Sequence, residues 1–371
     1  MASTPCNLTV STVFHHPRHR GTRPQARILY TCNASRISSL NLSIRRNGMI
    51  FCSTLKTSER DAVVEREVSK ATLIWRAIKL PMYSVALIPI SVGASAAYLH
   101  TGFFSVQRFF LILGSSILVI AWLNLSNDVY DFDTGADKNK KESVVNLLGS
   151  RSGTYFAATL ALLLGSSGLL STSLAAKNTR AILLLACAIL CGYIYQCPPF
   201  RLSYRGLGEP LCFAAFGPFS TTAFYFLLGT HFPETNPPVT TVVLVSSLLV
   251  GFTTSLILFC SHFHQIEDDV AVGKISPLVR IGTEKAAAAV KYALISIYLL
   301  LIACGVLKLL PFSCILLCGL TCPMASVVTN FVKDNHSNKE SIFMAKYYCV
   351  RLHALFGSAL ALGLAVARHI P

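Results

Sequence analysis

The chain has 371 residues, 53% of them hydrophobic and only 13% charged, with a formal net charge of +15. Soluble domains carry about a quarter charged residues, so this composition excludes an ordinary water-soluble globule and fits a chain that crosses a membrane. Nor does the charge indicate nucleic-acid binding: eight Lys or Arg lie before Glu59, and subtracting them from +15 leaves +7 for the rest.

Residues 1–58 contain Arg18, Arg20, Arg23, Arg27, Arg36, Arg45, Arg46 and Lys56, no Asp or Glu, and many Ser and Thr. Such an Arg-rich, Ser-rich, acid-poor leader reads as an organelle transit peptide, with a plain disordered tail as the blander alternative. Little amphipathic helical pattern precedes Ser58, which favours a plastid over a mitochondrion. The expected division is therefore a chloroplast transit peptide and disordered leader over 1–58, then a membrane domain over 59–371. The thirteen Cys do not form a disulfide framework: Cys6, Cys32 and Cys52 fall in the leader. Others, including Cys187, Cys191, Cys304, Cys314 and Cys318, sit inside apolar runs, where Cys packs as a small hydrophobe.

After the leader, about nine apolar runs have the length a bilayer core demands. They lie near 80–100, 106–126, 154–174, 180–197, 211–230, 240–262, 286–307, 311–331 and 346–368, and predict an all-α polytopic bundle. The connections on the N-terminal side hold Lys138, Lys140, Lys141, Arg151, Arg201, Arg205, Lys274, Arg280, Lys285, Lys333, Lys339 and Lys346. The opposite side holds Arg108, Lys177, Arg180, Lys308 and Arg368. The positive-inside rule places the richer side in the cytoplasm-equivalent compartment, which in a plastid is the stroma.

The second run leads into Asn124-Leu-Ser-Asn127-Asp128-Val-Tyr-Asp131-Phe-Asp133-Thr-Gly-Ala-Asp137. Asn124, Asp128 and Asp131 fall at i, i+4 and i+7, and Asn127 and Asp131 at i, i+4, so each set shares a helix face. Clustered carboxylates repel one another unless a cation sits among them, and an all-oxygen set suits magnesium, which takes one or two carboxylates plus phosphate oxygens. A solvated acidic loop is the alternative, but acids at a helix C-terminus oppose the macrodipole. An EF-hand is excluded, since the run from Asp131 lacks the glycine at position six that such a loop needs.

The fourth run ends in Tyr193-Ile-Tyr195-Gln-Cys-Pro-Pro-Phe-Arg201-Leu-Ser-Tyr204-Arg205-Gly-Leu-Gly208-Glu209. Arg201 and Arg205 suit phosphate oxygens, which Arg binds with paired donors, although a positive-inside anchor reads equally well for Arg205. Lys274 and Arg280 carry the same two readings. The sixth run ends in His262-Phe-His264-Gln265-Ile-Glu267-Asp268-Asp269, a second acidic helix end on the same side. Two facing acidic ends can bridge a diphosphate through two magnesium ions. The His pair alternatively suggests zinc, but no third nitrogen ligand is evident.

At these residues the sequence resembles the UbiA superfamily of intramembrane prenyltransferases. Asn127 and Asp131 match its Asn-x-x-x-Asp pattern, and Asp137 its later acidic position in the menaquinone-type branch. The second motif departs from the usual Asp-x-x-x-Asp: Gln265 stands at the first Asp and Asp269 at the second, with Glu267 and Asp268 as substitutes. His-Phe-His-Gln-Ile-Glu-Asp-Asp and Gly273-Lys-Ile-Ser-Pro-Leu-Val-Arg-Ile-Gly282 resemble the plant and cyanobacterial naphthoate phytyltransferases. The resemblance implies a bundle around a central prenyl-diphosphate cavity and catalytic roles for Asn127, Asp131 and Asp269. It implies magnesium held by Asn127, Asp128, Asp131, Asp137, Glu267, Asp268 and Asp269, and diphosphate held by Tyr195, Arg201, Lys274 and Arg280. The expected reaction moves a phytyl or related prenyl chain from its diphosphate to 1,4-dihydroxy-2-naphthoate with loss of CO2, in phylloquinone synthesis in a chloroplast membrane. Homogentisate prenyltransferase and chlorophyll synthase are rivals within the superfamily, and a secondary transporter is the rival outside it.

Overall fold

The apolar runs fold as helices, and their ends fall where capping chemistry rather than hydropathy puts them. The structure is a computed structural model that describes residues 80–136, 143–230 and 237–369, together with four short strands nearer the N-terminus. The chain divides into two units, Met1–Val68 and Ser69–Pro371. In the first unit β1 (Thr9–Ser11) pairs antiparallel with β2 (Leu29–Thr31), and β3 (Ser43–Ile44) with β4 (Ile50–Phe51). Most of the expected leader, the boundary after residue 58, Asp137 and the Lys138–Lys141 cluster lie outside the described residues.

The second unit is all-α among its described residues. Its helices are α1 (Ser84–Thr101), α2 (Val106–Thr134), α3 (Val144–Leu148), α4 (Arg151–Ala175), α5 (Thr179–Gln196), α6 (Gly208–Ala214) and α7 (Thr222–Gly229). They continue as α8 (Thr241–Ser261), α9 (Ile266–Ala271), α10 (Pro277–Ile281), α11 (Thr283–Val306), α12 (Phe312–Gly319), α13 (Cys322–Asn335), α14 (Lys339–Ile342) and α15 (Ala345–Ala367). Eight of the described spans are long and apolar enough to cross a membrane, and nine if α12 and α13, bent by 44°, count as one. Pro323, in the first turn of α13, has no N–H to continue the ladder, so the predicted run over 311–331 breaks there. The run over 211–230 likewise holds one turn of π-helix, Ala215–Thr221, around Pro218.

The second helix reaches well past its predicted end at 126. Ser105 caps its start by accepting from the Arg108 N–H, and it stops only at Thr134, where Gly135 takes φ +82°. A left-handed residue at that position favours glycine. Hydropathy marks where apolar residues stop, not where the helix stops, so the whole first acidic motif through Asp133 rides on rigid helix.

The bundle packs α2 along α4, and α15 against α1, α8 and α12. The centre is α8, with 61% of its most apolar window buried against 22% for α5 at the periphery. Ile90, Val92, Ala96 and Ala97 of α1 are fully buried. Gly93 sets how closely α1 approaches the π turn: a Cβ there would come within 2.8 Å of the Thr221 carbonyl. Phe156, Leu163, Leu183 and Leu299 point outward and are exposed. Where lipid is the solvent, an apolar exterior costs nothing.

Candidate active site

Three segments meet at one end of the bundle. The first is the last turns of α2. Asn127 Nδ2 donates to Asp131 Oδ2 at 2.8 Å, the i, i+4 pairing expected from their spacing. Asp128 is fully buried and its Oδ2 accepts from the Val144 N–H at 3.0 Å, which ties α2 to the start of α3. Asp133 leaves that face: Arg151 grips it with two hydrogen bonds, 3.1 and 2.7 Å, on the exposed side. One turn earlier, Gln196 of α5 donates to Ser126, and Ser126 donates to the Trp122 carbonyl at 2.6 Å, so a buried polar chain fixes α2 against α5.

The second segment is the turn after α5. Arg201 has a left-handed backbone, φ +41°, which costs a non-glycine residue on the order of 1 kcal/mol. Its guanidinium lies over the Tyr130 and Tyr204 rings at 5.8 and 5.9 Å, and its buried Nε has no hydrogen-bond partner among the described residues. The Tyr204 phenol donates to Asp131 Oδ1 at 3.1 Å and lies 2.8 Å from Thr134 Oγ1. Burial, and next the Asp131 carboxylate, push the Tyr204 phenol up, so it stays protonated and remains a donor. Gly206, at φ +74°, lets the turn pass under Ile275, whose carbonyl would lie 2.7 Å from a Cβ there.

The third segment begins where α8 ends. The backbone passes through a 3₁₀ turn, His262–His264, into α9 and so turns the acidic residues to different sides. Asp269 faces inward, nearly buried, with Oδ1 3.0 Å from Lys274 Nζ, while its buried Oδ2 has no partner among the described residues. Glu267 and Asp268 face outward to Lys339, at 2.8 and 3.5 Å. The Lys339 ammonium holds the Glu267 carboxyl below its ordinary value. Arg280 donates to the Arg205 carbonyl at 2.6 Å and braces the second segment from the third.

Tyr204 joins the segments. Its hydroxyl is on Asp131, Lys274 Nζ stands 5.8 Å over its ring, and its carbonyl accepts from the Ile275 N–H at 2.8 Å. Tyr195, half-buried at the end of α5, is within electrostatic reach of both Asp131 and Asp269. Thus Asn127, Asp128, Asp131, Tyr195, Arg201, Lys274 and Asp269 gather at one place, Arg280 braces it, and Glu267 and Asp268 turn away from it. Tyr204 is legible in the sequence only as the aromatic residue between two arginines in a polar turn, and Glu209, which pairs with His262 at 3.1 Å, carries no local signal of that contact.

The donor set is hard oxygen with neighbouring cations. Among the described residues, no three His, Cys, Asp or Glu side chains stand close enough together to hold a metal by themselves. The buried, unpartnered Oδ2 of Asp269 and the spare lone pairs of Asp131 do fit a divalent ion that takes its remaining ligands from phosphate and water.

The chain is 62% identical over 333 residues, 89% of its length and 87% of the relative's, to 2-carboxy-1,4-naphthoquinone phytyltransferase, chloroplastic, of Arabidopsis thaliana. It is 42% identical to the Synechocystis protein named 2-carboxy-1,4-naphthoquinone phytyltransferase, covering 77% of this chain and 91% of that one. Among solved structures it resembles an apo UbiA homolog from Aeropyrum pernix K1, with TM-score 0.58, 15% identity and coverage of 77% and 98%. A UbiA homolog from Archaeoglobus fulgidus bound to DMAPP and Mg2+ aligns with TM-score 0.51, 15% identity and coverage of 82% and 100%. At such identity these two likenesses are of fold. The UbiA prenyltransferase family profile matches residues 86–350, and with the relatives above it gives the conclusion that the chain belongs to the UbiA prenyltransferase family and is a prenyltransferase.

Proposed function

We propose that this enzyme transfers a phytyl chain from phytyl diphosphate to 1,4-dihydroxy-2-naphthoate in a chloroplast membrane, as a step in phylloquinone synthesis, with its site facing the stroma. The observation that carries the diphosphate part is the meeting of Asp131, Arg201, Lys274 and Asp269 around Tyr204. The acceptor rests on the names of the relatives from Arabidopsis thaliana and Synechocystis. Those names give the quinone form. Dihydroxynaphthoate is its two-electron-reduced form, and the reduced ring is the electron-rich nucleophile.

Magnesium fits the donor set, with Asp131 and Asp269 as ligands and Asn127 and Asp128 beside them, and the fold relative from Archaeoglobus fulgidus is titled as bound to Mg2+. When bound it neutralises charge on the diphosphate oxygens. Arg201 and Lys274 do the same from the chain itself, as cations already fixed over the Tyr204 ring. Arg280 and Gly206 hold the turn that carries Arg201. The apolar bundle keeps water from the allylic carbon once its bond to the bridging oxygen breaks and the electron pair leaves with diphosphate. The ring carbon that bears the carboxylate then bonds to that allylic carbon with an electron pair from the ring. Loss of the carboxylate as CO2 returns its electron pair to the ring and restores aromaticity.

Membranes carrying the enzyme, given phytyl diphosphate, magnesium and dihydroxynaphthoate, should yield a phytylated, decarboxylated naphthalene product identifiable by mass. Product formation only with homogentisate or a chlorophyllide would overturn the acceptor. The acid-free leader supports import: a chain lacking residues 1–58 should stay active in bacterial membranes yet fail to enter chloroplasts. For orientation, Cys introduced near Asp137 and near Gly273 should label from the same face of sealed vesicles, and labelling from opposite faces would exclude a shared diphosphate site.

A further inference from the structure

Glu209 and His262 border the site and have no part in the diphosphate chemistry above. Glu209 lies in the first turn of α6, and His262 in the 3₁₀ turn that follows α8. His262 Nδ1 is 3.1 Å from Glu209 Oε1, with side chains 3% and 15% exposed. The Ser255 hydroxyl donates to the Glu209 carbonyl at 3.1 Å, which fixes the backbone of that turn against α8. Gly208 presses the same turn on Tyr195: a Cβ there would be 2.9 Å from the Tyr195 ring. Tyr195 is within electrostatic reach of Glu209 as well as of Asp131 and Asp269, so the pair shares a neighbour with both acidic motifs.

The second carboxylate oxygen, Glu209 Oε2, is buried and has no hydrogen-bond partner among the described residues. A buried acceptor left unmet is costly and calls for a partner. Elsewhere around the site the acids are met by Lys274, Lys339 or Arg151, or by Asn127 and Tyr204. Glu209 is met by an imidazole instead. With Nδ1–H donating to Oε1, the carboxylate remains an acceptor. Such an oxygen repels a diphosphate and attracts an O–H donor, and the transfer reaction supplies one on its aromatic acceptor.

We infer that Glu209, held in place by His262, binds a hydroxyl of the aromatic acceptor through Oε2 and so turns the reacting ring carbon toward the allylic carbon. Glu209 is thus an acceptor-binding residue, and His262 a positioning residue. The inference rests on the hydroxyaromatic acceptor proposed above. A hydroxyl donating to a carboxylate also enriches the ring in electron density, which favours attack on an allylic cation.

The test compares wild type with Glu209→Gln and His262→Leu in membranes, with the abundance of each variant measured and magnesium titrated. Glu209→Gln should raise the acceptor KM or lower kcat by roughly tenfold to a hundredfold, as expected for losing a hydrogen bond to a charged group. The KM for phytyl diphosphate and the magnesium dependence should not move. Inhibition by an acceptor analogue whose hydroxyls are methylated should be weaker than by its hydroxyl-bearing parent in wild type, and the difference should vanish in Glu209→Gln. His262→Leu should reproduce that loss of discrimination, whereas a merely structural role would leave it intact. Unchanged transfer in Glu209→Gln, an altered magnesium requirement, or an undiminished hydroxyl-over-methoxy preference would each overturn the role. The comparison is run with whichever hydroxyaromatic the wild type prenylates, so a wrong naphthoate assignment is distinguishable from a wrong role for Glu209.

Discussion

The two acidic motifs look alike in sequence, each a cluster of carboxylates where an apolar run ends, yet they are built differently. The first continues its helix without a break, so Asn127, Asp128 and Asp131 keep helical spacing, with Asp131 accepting from Asn127 and Tyr204 and Asp128 from the Val144 N–H. The second loses the helix at His262–His264 and resumes it in α9, and its acids part ways, Asp269 toward Lys274 and Glu267 and Asp268 toward Lys339. A rigid helix presents several ligands at once, whereas a broken one selects a single carboxylate and supplies a cation beside it. If Asp131 and Asp269 hold magnesium as proposed, the first motif offers most of the oxygen ligands, and the second adds one carboxylate and one lysine.

The largest effect should come from removing the inward carboxylates. Asp131→Asn or Asp269→Asn should lower turnover roughly a thousandfold, the scale on which fixed electrostatic stabilisation acts, while membrane abundance stays near normal. Assays across magnesium concentrations check this, and near-normal turnover of Asp131→Asn at limiting magnesium would break the comparison at its stronger side.

Tyr204→Phe probes the join between the motifs. It keeps the ring beneath Lys274 and Arg201 but removes the donor to Asp131, so turnover should fall roughly tenfold to a hundredfold, the worth of a hydrogen bond to a charged acceptor. An effect below about threefold would mean that Asn127 alone suffices to hold Asp131.

A smaller change is expected on the outer side of α2. Asp133→Asn should alter activity by no more than a few fold, because its partner Arg151 is exposed and such surface pairs contribute about 0–1 kcal/mol. Loss comparable to that of Asp131→Asn would show that Asp133 belongs to the site after all.

The smallest effect concerns the outward acids of the second motif. Glu267→Gln should leave turnover within about twofold, since its carboxylate is solvated and engaged with Lys339. Lys339 depresses the Glu267 carboxyl, so whatever stability the pair adds is present above the ordinary carboxylate range and lost as pH falls through the depressed value. Thermal melts of wild type and Glu267→Gln should therefore converge in acid. A strong loss of activity in Glu267→Gln would return that residue to the metal site and erase the contrast between the motifs.

Much of this was already legible in the chain. Apolar runs of membrane length fix the all-α bundle, because a backbone in lipid must satisfy its own hydrogen bonds. The i, i+4 spacing of Asn127 and Asp131 puts them on one face wherever a helix forms, and the helix forms as spaced. Sequence alone did not fix where α2 ends, because the stop at Gly135 depends on backbone conformation rather than hydropathy. It did not choose among Glu267, Asp268 and Asp269 either. Three adjacent carboxylates are equivalent until a chain break sets their directions and distant lysines, Lys274 and Lys339, claim them. Tyr204 and the pairing of Glu209 with His262 join residues 73 and 53 positions from their partners, and local pattern carries no information about such contacts. The sequence determined which chemical groups are available and on which side of the membrane runs they lie. Only tertiary packing decided which of them meet, because meeting depends on how separate helices are held against one another.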